Sequence, residues 1–120
     1  MLHEDYILRQ IENTIVVLAN MMFRKNTVTY ELPAEEHNYD QTDFLYLNLN
    51  RLIAAGEINR AEDLLYEEID TEDLRHLELS IDFYAQINKF GDAYLDAHDY
   101  SRREIEQGLN EIISMFNITI

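Results

Sequence analysis

His3, His37, His76 and His98 are the side chains best suited to holding a metal or moving a proton near neutral pH. No two of them stand three or four residues apart, so the paired-histidine helical motif of zinc hydrolases is missing. His76 follows Glu72 by four residues and Asp73 by three, which puts two potential ligands on one helical face. His98 lies between Asp96 and Asp99. These two histidines with their acidic neighbours are the candidates for a small metal-binding or hydrolytic protein. In a chain with 24 Asp and Glu, however, such neighbours arise without any ligand to select them, and a surface histidine is the simpler reading. The cluster Glu67, Glu68, Asp70, Glu72 and Asp73 lacks the glycine-containing loop of an EF-hand, and helix capping accounts for Asp70 and Asp73. Ser80, Ser101 and Ser114 have no nucleophile-elbow motif around them, and no glycine-rich loop is present to cradle phosphate. With no cysteine there is no thiolate chemistry. The sequence therefore assigns no catalytic, cofactor-binding or metal residue.

Eight tyrosines offer a different kind of surface. Tyr46, Tyr66, Tyr84 and Tyr94 fall on successive expected helices, and a tyrosine at the edge of an apolar stripe combines packing area with a polar tip suited to interfaces. These four form the candidate interaction surface for a protein or peptide partner. Nine Lys and Arg against 24 Asp and Glu give a net charge of −15, which repels phosphate backbones and anionic lipid, so neither nucleic acid nor membrane is expected as a partner. Glu4, Asp5, Arg9 and Glu12 interrupt the apolar residues near the start, so no signal-peptide core or membrane span is expected, and a cytoplasmic setting follows.

A single helical domain over residues 1–120 must position these groups. One Pro and three Gly leave little room for a turn-rich β fold. Ile7, Ile11, Ile15, Leu18 and Met22 recur at helical steps and predict a first helix over 4–24, with Asn26 as terminator and an apolar surplus (Leu8, Val16, Val17, Ala19, Phe23) available to a second copy. Residues 26–40 hold the only Pro and no 3.6 period, and read as a connection. Asp40 or Thr42 caps a helix over 41–55 whose inner stripe is Leu45, Leu49, Leu52 and Ile53, broadened by Phe44, Tyr46 and Leu47. Gly56 ends it, and Asn59 with Glu62 in a reciprocal capping arrangement starts a helix over 59–69. From Asp70 a helix over 71–90 is apolar on two nearly opposite faces, Leu74, Leu77, Ile81 and Tyr84 against Leu79, Phe83, Ile87 and Phe90, which places it at the centre of the molecule. After Gly91 and one short turn, the Ser101 to Glu104 capping box opens a last helix over 101–116, with Tyr100 as staple and Gly108 as an interior cost. The segment 41–116 is thus the helical hairpin core.

The string Gly56-Glu57-Ile58-Asn59-Arg60-Ala61-Glu62-Asp63-Leu64-Leu65 resembles the turn and second helix of a tetratricopeptide-type repeat. Over nearly its whole length the chain also resembles an uncharacterised family of short acidic helical bacterial proteins. Asp5-Tyr6-Ile7-Leu8-Arg9-Gln10-Ile11-Glu12, Gly56 to Glu62 and Ile81-Asp82-Phe83-Tyr84 carry that likeness. The resemblance implies an all-α, tetratricopeptide-like fold of antiparallel hairpins in a bacterial cytoplasm, and no activity. The expected function is a non-catalytic protein- or peptide-interaction or scaffold module, with a homodimer through the first helix. The alternative is a small metal-binding or hydrolytic protein using His76 or His98.

Overall fold

The computed structural model describes residues 2–120, with side chains described for 5–120, so the side chains of His3 and Glu4 lie outside the described residues. The chain is all-α. Helix α1 (Leu2–Leu18) buries Ile7, Ile11, Ile15 and Leu18 on one face, the stripe its spacing dictates. Its continuation, Ala19–Phe23, is a π-helical turn. The Asn20 side-chain amide donates to the Val16 carbonyl at 2.8 Å, taking the acceptor that its own backbone N–H would use in an α-helix. The stop comes at Arg24, left-handed at φ 56°, whereas Asn26 was the expected terminator.

Residues 26–40 hold one short 3₁₀ turn, Glu36–Asn38, but are not a loop draped over the surface. Val28 and Tyr30 are buried, Leu32 is half-buried, and the Tyr30 N–H donates to the Asp82 carboxylate at 2.6 Å. Buried backbone needs a partner, and an acid 52 residues away supplies it.

Helix α2 (Gln41–Ala54) opens with a reciprocal cap: the Asp43 N–H donates to Asp40 at 3.1 Å and the Asp40 N–H to Asp43 at 2.9 Å. Leu45, Leu49, Leu52 and Ile53 are buried. Phe44 and Leu47, expected to broaden that stripe, face solvent. Gly56, at φ 77°, closes the helix with Gly56 N–H to Ile53 O and Glu57 N–H to Leu52 O. The same pair of bonds recurs at Asp99 and Asn117, both left-handed without being glycine. Helix α3 (Ile58–Glu68) starts one residue earlier than expected and has no side-chain cap, since Asn59 reaches instead to the Asp99 carbonyl at 2.9 Å.

Helix α4 (Leu74–Ile87) is shorter than the expected 71–90, with Asp73 rather than Asp70 as its cap. Leu77, Leu79, Ile81, Phe83, Tyr84 and Ile87 are all fully buried, and the helix packs against α1, α2 and α6. Its two apolar faces make it the centre; only Leu74, at its exposed start, departs from the pattern. Helix α5 (Asp92–Ala97) is the short turn after Gly91, and α6 (Arg102–Met115), capped by Ser101, lies across α1 and α4.

Candidate functional site

The four tyrosines singled out by position do not share one surface. Tyr84 has no accessible area, Tyr46 and Tyr66 are half-buried, and Tyr94 alone faces solvent, 37% exposed. Tyr46 packs at a tilt against Tyr30, ring centroids 4.7 Å apart, and directs its hydroxyl at Asp82. Tyr94 lies in a ladder of rings, 4.4 Å from Phe90 and 4.1 Å from His98.

Tyr66 and Tyr84 instead meet inside the protein, together with Tyr100, at the carboxylate of Glu62. The Tyr84 hydroxyl donates to Glu62 Oε2 at 2.6 Å and the Tyr100 hydroxyl to the same oxygen at 2.9 Å. With the Tyr84 proton so engaged, the single proton of Tyr66 is shared between the Tyr84 oxygen at 2.8 Å and the Gly108 carbonyl at 3.2 Å. The network ties α3, α4 and α6 together and leaves each hydroxyl satisfied. Burial first, then the negative charge of Glu62, pushes the Tyr84 and Tyr100 phenols above their ordinary range; burial does the same to Tyr66.

A raised folded pKa means that the folded chain holds protons the unfolded chain releases above about pH 10. This contribution to stability is intact below that pH and is lost as pH rises beyond it. In an alkaline titration of the Tyr100→Phe variant against the wild type, the missing tyrosinate absorbance is expected to fall at the step where helical circular dichroism collapses. A missing signal at ordinary phenol pH, with the helices intact, would contradict this account.

His76 and His98 are engaged as well. His76 is buried; its Nδ1 accepts the Asp70 N–H at 3.0 Å, so in the neutral ring Nε2 carries the proton and donates to Thr42 Oγ1 at 3.2 Å. Asp73 stands 3.9 Å from Nε2, and the expected Glu72 partner is not among the polar groups His76 meets. The His98 Nδ1–H donates to the Tyr94 carbonyl at 2.8 Å, while Nε2 lies against the Gly56 turn. Among the described residues no group of three or more His, Asp or Glu is placed to hold a metal ion.

Two arginines, half-exposed Arg75 and buried Arg102, add polar ties between the elements. Arg75 forks onto Asp40 at 2.6 and 3.3 Å and reaches Asp43 at 2.9 Å and the Tyr30 hydroxyl, latching the 26–40 segment to α2 and α4. The hydrogen bonds donated by the Arg75 guanidinium, followed by that of the Asp43 N–H, hold the Asp40 carboxyl well below the usual range. Arg102, 3% exposed, donates to the carbonyls of Asn88 and Phe90 and to Asp92, each at 2.7 Å, and so closes the C-terminal end of α4. Nothing local in the sequence marked either role. For Tyr30 a signal was present: Val28, Tyr30 and Leu32 alternate at period two, the pattern of an extended segment with one face buried.

With these polar groups engaged inside, the outer face of α1 is the surface least explained by the fold. Val16 and Val17 are each 43% exposed and Met21 is 49% exposed, one to two turns along the side opposite the buried stripe. Two grooves flank this ridge. One, of about 300 Å³, runs against Glu106, Leu109 and Asn110 of α6. The other, of about 540 Å³, is lined by Leu8, Ile15, Val16 and Val28 together with Glu12 and Lys89. No helix among the described residues is long and apolar enough to cross a membrane.

A model of a family of unknown function (DUF6483) matches residues 1–117 of the chain. No curated protein and no solved structure matches it.

Proposed function

Because the chain belongs to the DUF6483 family, whose role is unknown, its function must be read from its own surface, and we propose a non-catalytic module that binds a protein or peptide through the outer face of α1. The observation that supports this is the placement of Val16 and Val17 in solvent on α1, and of Met21 on the π-helical turn that continues it, while Ile7, Ile11, Ile15 and Leu18 are buried on the other side. Apolar side chains grouped beside two grooves gain by being covered, and helical ridges and grooves are what a second helix fits. Tyr94 belongs to the same reading only as a secondary contact, since it is the one expected interface tyrosine that stands in solvent. The α2–α3 hairpin, with Gly56 in its turn and Ala61 buried between the helices, supports a tetratricopeptide-like description of the scaffold. A bacterial, cytoplasmic setting is part of the same proposal.

The test is site-specific photo-crosslinking in cells. A photoreactive residue at Val17 is expected to give a discrete protein adduct, identified by mass spectrometry and lost on Val16→Lys, whereas the same residue at exposed Glu67 gives none. Absence of any adduct from Val17, or equal adducts from both positions, would overturn the assignment of this face.

A further inference from the structure

We infer that the occupant of the α1 face is a second copy of the same chain, docked antiparallel about a two-fold axis. This rests on the reading of that face as a docking surface and adds to it the partner and the register. Charge selects this occupant. Residues 1–25 carry three acids, Glu4, Asp5 and Glu12, and three bases, Arg9, Arg24 and Lys25, so the whole net charge of −15 resides in residues 26–120. Two such chains repel each other wherever acidic surfaces face, and the repulsion is least where neutral surface meets neutral surface. The first helix supplies that surface, with exposed Arg9, Asn13, Val16, Val17, Asn20 and Met21 on its outer side.

The charges on this element are also ordered. Asp5 stands exposed near its start, and Arg24 and Lys25 stand exposed at its end. A two-fold interface places the same patch on both sides, so the patch must complement itself. A parallel pair would set acid against acid and base against base. An antiparallel pair with its axis between positions 14 and 15 sets Asp5 opposite the partner's Arg24, Arg9 opposite Asn20, Asn13 opposite Val16 and Val17 opposite Glu12, and brings the two Val16 side chains nearest the axis. The ridge of each copy then enters a groove beside α1 of the other. A basic partner protein would be drawn to the acidic remainder of the surface, away from this neutral face.

One helix face is a small interface, so the dimer is expected to dissociate with a constant on the order of 10 µM. Sedimentation velocity and native mass spectrometry of the full chain from about 1 to about 300 µM bracket that value. The expected result is a monomer–dimer equilibrium that Val17→Glu, which sets an acid against the partner's Glu12, weakens by roughly tenfold or more, with the helical spectrum unchanged because Val17 is a solvent-facing position. Asp5→Arg is expected to weaken the dimer, and Arg24→Asp added to it to restore the wild-type constant. A strict monomer at the highest concentration, or a dimer indifferent to Val17→Glu, would overturn the inference, and failure of the charge reversal to be rescued would overturn the antiparallel register. A monomer in solution whose Val17 crosslinks to a different protein in cells refutes self-association while leaving the docking face in place. Failure of the crosslink refutes both.

Discussion

Gly108→Ala is expected to destabilise the protein by about 2–3 kcal/mol, lowering the melting temperature by roughly 10 °C, although the same change in an ordinary helix interior stabilises by about 1 kcal/mol. Gly108 lies within α6, where the absence of a side chain looks like a defect of the helix. In the fold it is the floor on which the Tyr84 ring rests: a Cβ there would collide with the Tyr84 hydroxyl and the ring carbon that bears it. Neither partner can yield cheaply. The Tyr84 hydroxyl is held by Glu62 and Tyr66, and the Gly108 carbonyl is itself an acceptor for Tyr66. Urea denaturation measures the loss. Combining Gly108→Ala with Tyr84→Phe, which deletes the nearest colliding atom, should cost less than the sum of the single changes. If Gly108→Ala is as stable as the wild type, the close packing of Tyr84 on α6 is wrong.

Replacing Arg102 by Met carries the larger penalty, about 3–5 kcal/mol, because it strips the partners from buried groups instead of creating a clash. The carbonyls of Asn88, the residue that ends α4, and of Phe90, in the turn just beyond it, lie at the negative end of the helix dipole, where carbonyls have no partners within the helix. Arg102 supplies both with donors and meets the Asp92 carboxylate as well. Since domains of this size are stable by about 5–15 kcal/mol in total, the variant is expected to lose much of its margin. Arg102→Lys should not rescue it, as one ammonium cannot span carbonyls that the guanidinium fork reaches together. Asp92→Asn is the contrasting change: the Asp92 side chain is half exposed, and its loss should cost less than about 1 kcal/mol. Equal effects for Arg102→Met and Asp92→Asn, read from urea midpoints, would show that the ion pair rather than the carbonyl cap is what matters.

The helices were legible because their signals are local. Ile7, Ile11, Ile15 and Leu18 repeat at helical spacing within one helix, and the two faces of residues 74–90 required burial on both sides of that helix whatever packed there. The turn at Gly56 could be read for the same reason, since a left-handed residue at a helix end is a local steric requirement. Errors arose where two local devices competed for the same residue. Asn59 and Glu62 fit a capping box, yet Asn59 reaches Asp99 across the fold and Glu62 serves Tyr84 and Tyr100. The candidate surface was less legible still, because a tyrosine at a stripe edge looks the same from sequence whether its hydroxyl meets water, as Tyr94 allows, or a buried carboxylate, as for Tyr84.

By itself the sequence determined that this is one all-α chain, where its helices run, which of their faces are apolar, and that α4 lies at the centre, since each of these follows from residue spacing over a few turns. Only the tertiary structure decided that Tyr30 enters the core, that Arg102 is a buried cap, that Gly108 is required by Tyr84, and that Val16, Val17 and Met21 remain uncovered. Each of those depends on what an element meets from a distant part of the chain. Hydrophobic spacing says that a face must be buried, but a polar group's partner, or an apolar group's lack of one, is fixed only when the helices are stacked.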